Sequence, residues 1–494
     1  MQNGFHNEVL KATKWSVMAE IAAKLAAPIV NIILARLLVP DEFGIVASIT
    51  IITSFADIFT DAGFQKFIVQ HEFEDVDSLN KYSDVAFTAN AVLSVLIFSI
   101  VFCFRRSLAA AVQCAEAYNG LVVAALSILC TSFSSISIAR FRKNLNFKPI
   151  FYIRIGSSLV PLLVTVPLAF AFKNYWALVI GSVCQQLFIA VMAVAFSTYK
   201  PRLRLNMKMF SDMVFFSLWN LMETLSIWFA GQANIFIVAN VLNSYYLGLY
   251  KTGMATINSY LSIITASISP VLFSALSRAQ NDTETYRNTF YKFQKIMSML
   301  VLPLGVGIFL YRDLAVLLLL GSQWGEIADF MGLWALISAF TITFSNTACE
   351  VYRSMGKPKI SFVLQMIYLI IYIPVVYWSA RAGFRVLCYA GCFVRLFPVL
   401  LDFITLSVFF GISFRSLLKN TYTQIIAVAV MAAVGVLCQH AENAIAWQFF
   451  SILICAATYV IALLLFPDTR RELRSAKDLI RHKERIGVKR KGEK

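Results

Sequence analysis

Long apolar runs, each about twenty residues or more, recur from one end of the chain to the other and are separated by short basic segments. Inside a bilayer every backbone N–H and C=O needs a partner within the protein, so only helices and closed barrels span it. A spanning helix takes about 20 mostly apolar residues, whereas a barrel strand takes about ten of alternating polarity. The runs here are continuous, which selects helices. Composition agrees: 59% of the 494 residues are hydrophobic and 14% charged, at a mean hydropathy of +0.71, outside the range of ordinary soluble domains.

The runs predict fourteen transmembrane spans, at 14–38, 43–64, 84–104, 117–139, 149–172, 175–197, 210–240, 245–276, 290–310, 326–352, 360–380, 386–410, 419–439 and 445–466, each able to cross with some tilt. The first run follows Lys11 and Lys14, exceeds the apolar region of a signal peptide and lacks a small-residue cleavage site, so it is read as a retained helix. Lys24, Arg154, Lys251 and Arg395 are set aside as intramembrane. Of the 43 lysines and arginines, 32 then fall on one side, in RFRKNLNFK (140–148), KPRLRLNMK (200–208), RSMGKPK (353–359), the tail after Asp468 and smaller segments, against seven on the other. Cytoplasmic loops carry such an excess. Both termini are therefore placed in the cytoplasm, and the net charge of +16 is read as membrane topology, with no nucleic-acid partner.

No loop is long enough for a soluble domain, and the chain carries no G-x-x-x-x-G-K-[ST], H-E-x-x-H or G-x-S-x-G. None of the nine cysteines forms C-x-x-C, and Cys388 and Cys392 share one helix face, so the cysteines read as small buried hydrophobes. The expectation is a protein that is not an enzyme and holds neither metal nor cofactor.

Sliding the sequence on itself by 204 residues sets Trp15 on Trp219, Met18 on Met222, Ala35 on Ala239, Leu38 on Leu242 and Gly44 on Gly248, so that NIILARLLVPDEFG faces IFIVANVLNSYYLG. A shift of 211 sets FSSISIARFR (133–142) on FSNTACEVYR (344–353), with Arg142 on Arg353. The matches pair the first span with the seventh and the fourth with the tenth. They predict two parallel six-helix lobes around a central cavity, 1–200 and 201–412, with two extra C-terminal helices in 413–467 and a basic cytoplasmic tail in 468–494. Repeats of this kind build alternating-access transporters, with the substrate path between the halves.

Polar residues inside the spans fall on stripes. Glu20, Lys24, Pro28 and Asn31 share a face of the first helix, and Thr50, Ser54, Asp57 and Asp61 a face of the second. Lys251, Asn258, Ser262, Thr265 and Ser269 repeat the pattern in the eighth. Asn220, Glu223, Thr224 and Asn234 add to it from the seventh, and Ser338, Thr341 and Ser345 from the tenth. Such residues either line a wet cavity or hydrogen-bond between helices. Glu20 is placed to pair with Lys24 one turn on. Arg154 is near enough to the cytoplasmic face to snorkel. Arg395 and Asp402, two turns apart, are not spaced for a one-turn pair. Asp57 and Glu223 are the candidate carboxylates for a coupling proton or sodium.

The stretch LARLLVPDEFG (34–44), after a start near NEVLKATKWS and before a second helix ending DAGF, resembles the first two helices of Wzx-type polysaccharide-repeat-unit flippases. These belong to the multidrug/oligosaccharidyl-lipid/polysaccharide exporter superfamily. The segment SFSSISIARFRKNLNFK resembles that family's fourth helix and its basic exit. The resemblance implies two lobes of twelve to fourteen helices and transport of an undecaprenyl-diphosphate-linked oligosaccharide across a bacterial inner membrane. Membrane lipid and polymerase or chain-length proteins are the implied partners. Under that reading Lys24, Arg154 and Lys251 would meet the diphosphate. Glu20, Asp57, Glu223, Asn31 and Asn258 would be cavity or coupling residues. Arg36 reads as a loop ion pair with Asp41 or Glu42, or as a substrate contact. A multidrug or toxin extruder of the same superfamily and a peptidoglycan-precursor flippase are the alternatives. An integral-membrane polymerase would be expected to carry a large outer loop that this chain does not have.

Overall fold

The computed structural model describes residues 24, 26–61, 63–442, 444–467 and 470, and among them the chain is helical with no strand. The helices are, in order, α1 (Ala26–Leu37), α2 (Pro40–Asp61), α3 (Phe64–Gln70), α4 (Val76–Cys103), α5 (Arg105–Ala111), α6 (Tyr118–Lys143) and α7 (Phe147–Val160). There follow α8 (Val166–Phe172), α9 (Trp176–Phe196), α10 (Met207–Val241), α11 (Ser244–Ala279), α12 (Thr283–Leu310), α13 (Arg312–Leu319) and α14 (Ala328–Thr341). The last are α15 (Thr347–Ser354), α16 (Pro358–Ala382), α17 (Phe384–Phe393), α18 (Phe397–Phe410), α19 (Phe414–Ala441) and α20 (Ile445–Leu465). Wide π turns at Pro161–Thr165 and Ile342–Asn346 join α7 to α8 and α14 to α15.

Among the described residues twelve continuous helices are long and apolar enough to cross a membrane. The shorter α1 and the 35-residue α10 lie where the sequence places its first and seventh spans. Several helices start earlier than their apolar runs: at Val76 against 84, at Thr283 against 290 and at Phe414 against 419. The cause is capping. Asp75 accepts the Ser78 N–H at 2.6 Å, Asp282 those of Glu284 and Thr285 at 3.0 and 3.1 Å, and Ser413 that of Ser416 at 3.2 Å. A cap satisfies orphan donors of the first turn and so fixes the helix start in the polar region. The apolar run fixes only the crossing.

The described residues fall into two compact units. One draws on Met1–Ser267, Val316–Ile327 and Ile367–Val394, the other on Ile268–Ala315, Ala328–Met366 and Arg395–Lys494. The first is held by buried clusters such as Ile49, Ala56, Leu121, Ala125, Ile128 and Val179, and Phe64, Ile68, Ala86, Ile136 and Met213. The second closes around Leu276, Phe290, Phe344, Tyr352, Val399, Leu406 and Leu417. Large apolar side chains outside these cores, among them Leu163, Ile370, Val408 and Leu465, are exposed and suit a bilayer as solvent.

Within the first unit the opening turns of α2 and α11 cross with backbone against backbone. A Cβ on Gly44 would run into the Ser244 carbonyl, and a Cβ on Gly248 into that of Pro40. Gly44 and Gly248 are partners at the 204-residue shift, and so are Pro40 and Ser244. The two contacts thus pair the same two aligned positions twice.

Side chains lock this crossing. The Ser244 hydroxyl donates to Asp41, and the Tyr175 N–H to Glu42 at 2.5 Å. The final carbonyls of α1 are capped from a distant segment: the Gln323 amide reaches Ala35 and Leu38 at 2.6 and 2.8 Å, and the Trp324 indole reaches Ala35 at 2.8 Å. Trp324 is fully buried and meets Phe43 edge-on. The anticipated pair between Arg36 and Asp41 or Glu42 does not form. Both carboxylates are taken by other donors, and Arg36 instead donates to the Leu318 carbonyl at 2.8 Å, in the last turn of α13, where the helix dipole favours a cation. We predict that Gly44→Ala and Gly248→Ala each lower stability by about 1–3 kcal/mol through overpacking. The measurement is the thermal-unfolding midpoint in detergent. Gly307→Ala, whose Cβ would meet nothing within 4 Å, leaves the midpoint unlowered.

Candidate functional site

The striped face of α2 belongs to a polar network in the first unit. Asp57 accepts the Thr60 hydroxyl at 3.1 Å, and Thr131 of α6 donates to the Ser127 carbonyl at 3.1 Å. Thr131 in turn accepts the Gln186 amide of α9 at 3.2 Å. One turn before Asp57, Ser54 accepts the Trp228 indole of α10 at 3.0 Å. Side-chain hydrogen bonds thus join α6 to α9 and α2 to α10, as polar groups between membrane helices do.

Trp228 also marks a change of surface. Together with Ile51, Ile52, Phe55, Phe229, Ala233 and Phe236 it lines an apolar cavity of about 410 Å³. A ligand with a polar head and an apolar tail would find both kinds of surface at one indole.

The cations proposed from sequence lie in the same unit. Lys24, Arg154 and Lys251 are half-buried, as is Asn31, whereas Asn258 is exposed. Lys24, Arg154 and Asn258 have partners. Lys251, on α11 three residues after Gly248, makes no hydrogen bond or ion pair among the described residues, and neither does Asn31. Glu20 lies outside the described residues, so its pairing with Lys24 does too. Glu223 belongs to the helical backbone of α10, and its side chain, like that of Asp61, lies outside the described set.

In the second unit the structure brings together groups that sequence reasoning left apart. Asp402 of α18 is buried and accepts the hydroxyls of Ser345 and Tyr352, the latter at 2.8 Å. Arg395 donates to the Ser338 hydroxyl at 2.8 Å and lies 3.8 Å from the Trp334 ring centroid, a cation–π contact strengthened by desolvation. The signal was there in two charges within one apolar run. Their partners sit on α14, α15 and the wide turn between them, beyond the reach of a spacing rule within one helix. We predict that Tyr352→Phe, which leaves Asp402 with Ser345 as its hydroxyl donor, costs about 1–2 kcal/mol. Thermal unfolding of the purified variant measures it.

Among the described residues, a bundle of helices long and apolar enough to cross a membrane defines a multi-pass membrane protein. The family model described as "Polysaccharide biosynthesis protein" matches residues 33–329. The chain belongs to this family, that of the Wzx-type flippases. It is 24% identical to an "Uncharacterized membrane protein in cps region" of Klebsiella pneumoniae, over 75% of this chain and 76% of that one. It is 20% identical to the "Lipopolysaccharide biosynthesis protein WzxC" of Escherichia coli (strain K12), over 87% and 88%. Its fold is similar to that of the lipid II flippase MurJ in an inward closed conformation, with a TM-score of 0.73 at 15% identity, covering 93% of this chain and 99% of that chain.

Proposed function

We propose that the chain carries a lipid-diphosphate-linked oligosaccharide repeat unit across the bacterial inner membrane for surface polysaccharide synthesis. The observation that carries this reading is Lys251: a half-buried ammonium in a membrane helix, without a hydrogen bond or ion pair among the described residues. An unpaired cation in such a place is costly, and a diphosphate is the anion that would relieve the cost. The apolar cavity beside Trp228 offers a wall for the polyprenyl tail. Family membership and the named WzxC relative support the same assignment.

In this reading all fourteen spans cross, both termini are cytoplasmic, and 1–200 and 201–412 are the halves that rock about the Gly44–Gly248 crossing. Lys24 and Arg154 extend the cationic path. Asp57 and Glu223 are the carboxylates that respond to a proton or sodium gradient, and Glu20, Asn31 and Asn258 line the path.

The test is genetic and biochemical. Lys251→Ala, and separately Lys24→Ala, abolish surface polysaccharide while membrane levels of the protein stay unchanged, and Lys251→Arg restores part of the output. Normal polymer from both alanine variants would remove the cationic path. In vesicles, transport responds to an imposed proton or sodium gradient, and insensitivity to both would remove Asp57 and Glu223 from the mechanism.

A further inference from the structure

Between α9 and α10 the chain reads KPRLRLNMK (200–208) and is non-helical over residues 201–206. It is pinned to α4 through its backbone: the Arg202 N–H donates to Asp84 at 3.2 Å and the Arg204 N–H to Thr88 at 2.8 Å. Side chains of a strap so held alternate in direction. Leu203, Leu205 and Met207 are 79%, 84% and 80% exposed, three large apolar groups in alternation on a chain already rich in basic residues.

Under the strap lies a cavity of about 830 Å³ whose charged lining is Lys81, Arg140, Lys200, Arg202 and Arg204 against Asp77 and Asp84. The two acids are already engaged. Asp77 pairs with Lys81 at 2.6 Å, and Asp84 accepts the Tyr199 hydroxyl at 2.6 Å besides the Arg202 N–H. Burial and the Asp84 carboxylate push the Tyr199 phenol up, so it stays a donor at neutral pH. Arg140 is likewise placed, 4.4 Å from the Tyr199 ring centroid and bonded to Asn80 at 2.8 Å. The side chains of Lys200, Arg202 and Arg204 make no hydrogen bond or ion pair among the described residues.

We infer that this cavity and strap bind the headgroup of an anionic phospholipid, with its phosphate among Lys200, Arg202 and Arg204 and its acyl chains beside Leu203 and Leu205. Arginine pairs with phosphate through two parallel donors, and basic pockets at the ends of membrane helices hold anionic headgroups in this way. Alternating leucines supply the apolar contact that a soluble anion would not need. The inference rests on the orientation proposed above, in which the basic connections face the cytoplasmic leaflet.

The experiment uses the full chain purified in detergent and exposed to mixed phosphatidylglycerol and phosphatidylcholine, with retained lipid read by native mass spectrometry. The unchanged chain retains phosphatidylglycerol in preference. R202Q/R204Q weakens that retention about thirtyfold, from about fivefold per cation removed, and L203S/L205S weakens it as well. Equal retention by R202Q/R204Q and the unchanged chain would overturn the site. So would displacement of the lipid by inorganic pyrophosphate with L203S/L205S behaving as the unchanged chain, the result expected of a site for soluble anions. Polymer output of Lys251→Ala tests transport separately, so absence of a phosphatidylglycerol preference in the unchanged chain, with Lys251→Ala still inactive, sinks this inference alone.

Discussion

The crossing of Gly44 and Gly248 is the contact on which the first unit depends. Two helices approach closely enough for one backbone to touch the other only where side chains are missing, and in membranes such close packing, rather than a hydrophobic force between helices, drives association. The crossing sets where α2 and α11 begin, and with them the faces on which Ser54, Asp57 and Lys251 ride. Asp41, Glu42, Gln323 and Trp324 then satisfy the polar groups that two adjoining helix ends leave open.

Much of this is legible in the sequence. Apolar run lengths located the twelve helices that are long and apolar enough to cross among the described residues, and the 204-residue shift paired Gly44 with Gly248 without showing that they touch. The stripe on α2 was also readable, because helical periodicity is local. What the sequence withheld was partner choice. Asp41 and Glu42 lie next to Arg36 in sequence, yet they bond to Ser244 and Tyr175 while Arg36 finds a carbonyl on α13. Asp402 and Arg395 stood out as charges, but their hydroxyl and aromatic partners come from other helices. Long-range hydrogen bonding depends on which faces meet, and that follows from packing rather than from spacing along one helix.

The two kinds of buried polarity differ in what they allow. Ser54 and Asp402 accept from donors on other helices, so they hold helices together at little net gain per bond, and Asp57 accepts from Thr60 of its own helix. Lys251 has no such partner among the described residues. A group whose charge is unmet in the resting protein is the one whose energy changes most when an anion arrives.

The wide turn at Ile342–Asn346 has a further effect. On an unbroken helix Ser338, Ser345 and Tyr352 would follow each other at heptad intervals along a single stripe. An extra residue in one turn advances the azimuth of all that follows by about 100°. Ser338, before the turn, serves Arg395, whereas Tyr352, after it, serves Asp402. Base and acid, two turns apart on the partner segment, thereby keep their charges in separate company, Arg395 with Ser338 and Asp402 with Ser345 and Tyr352, instead of cancelling each other.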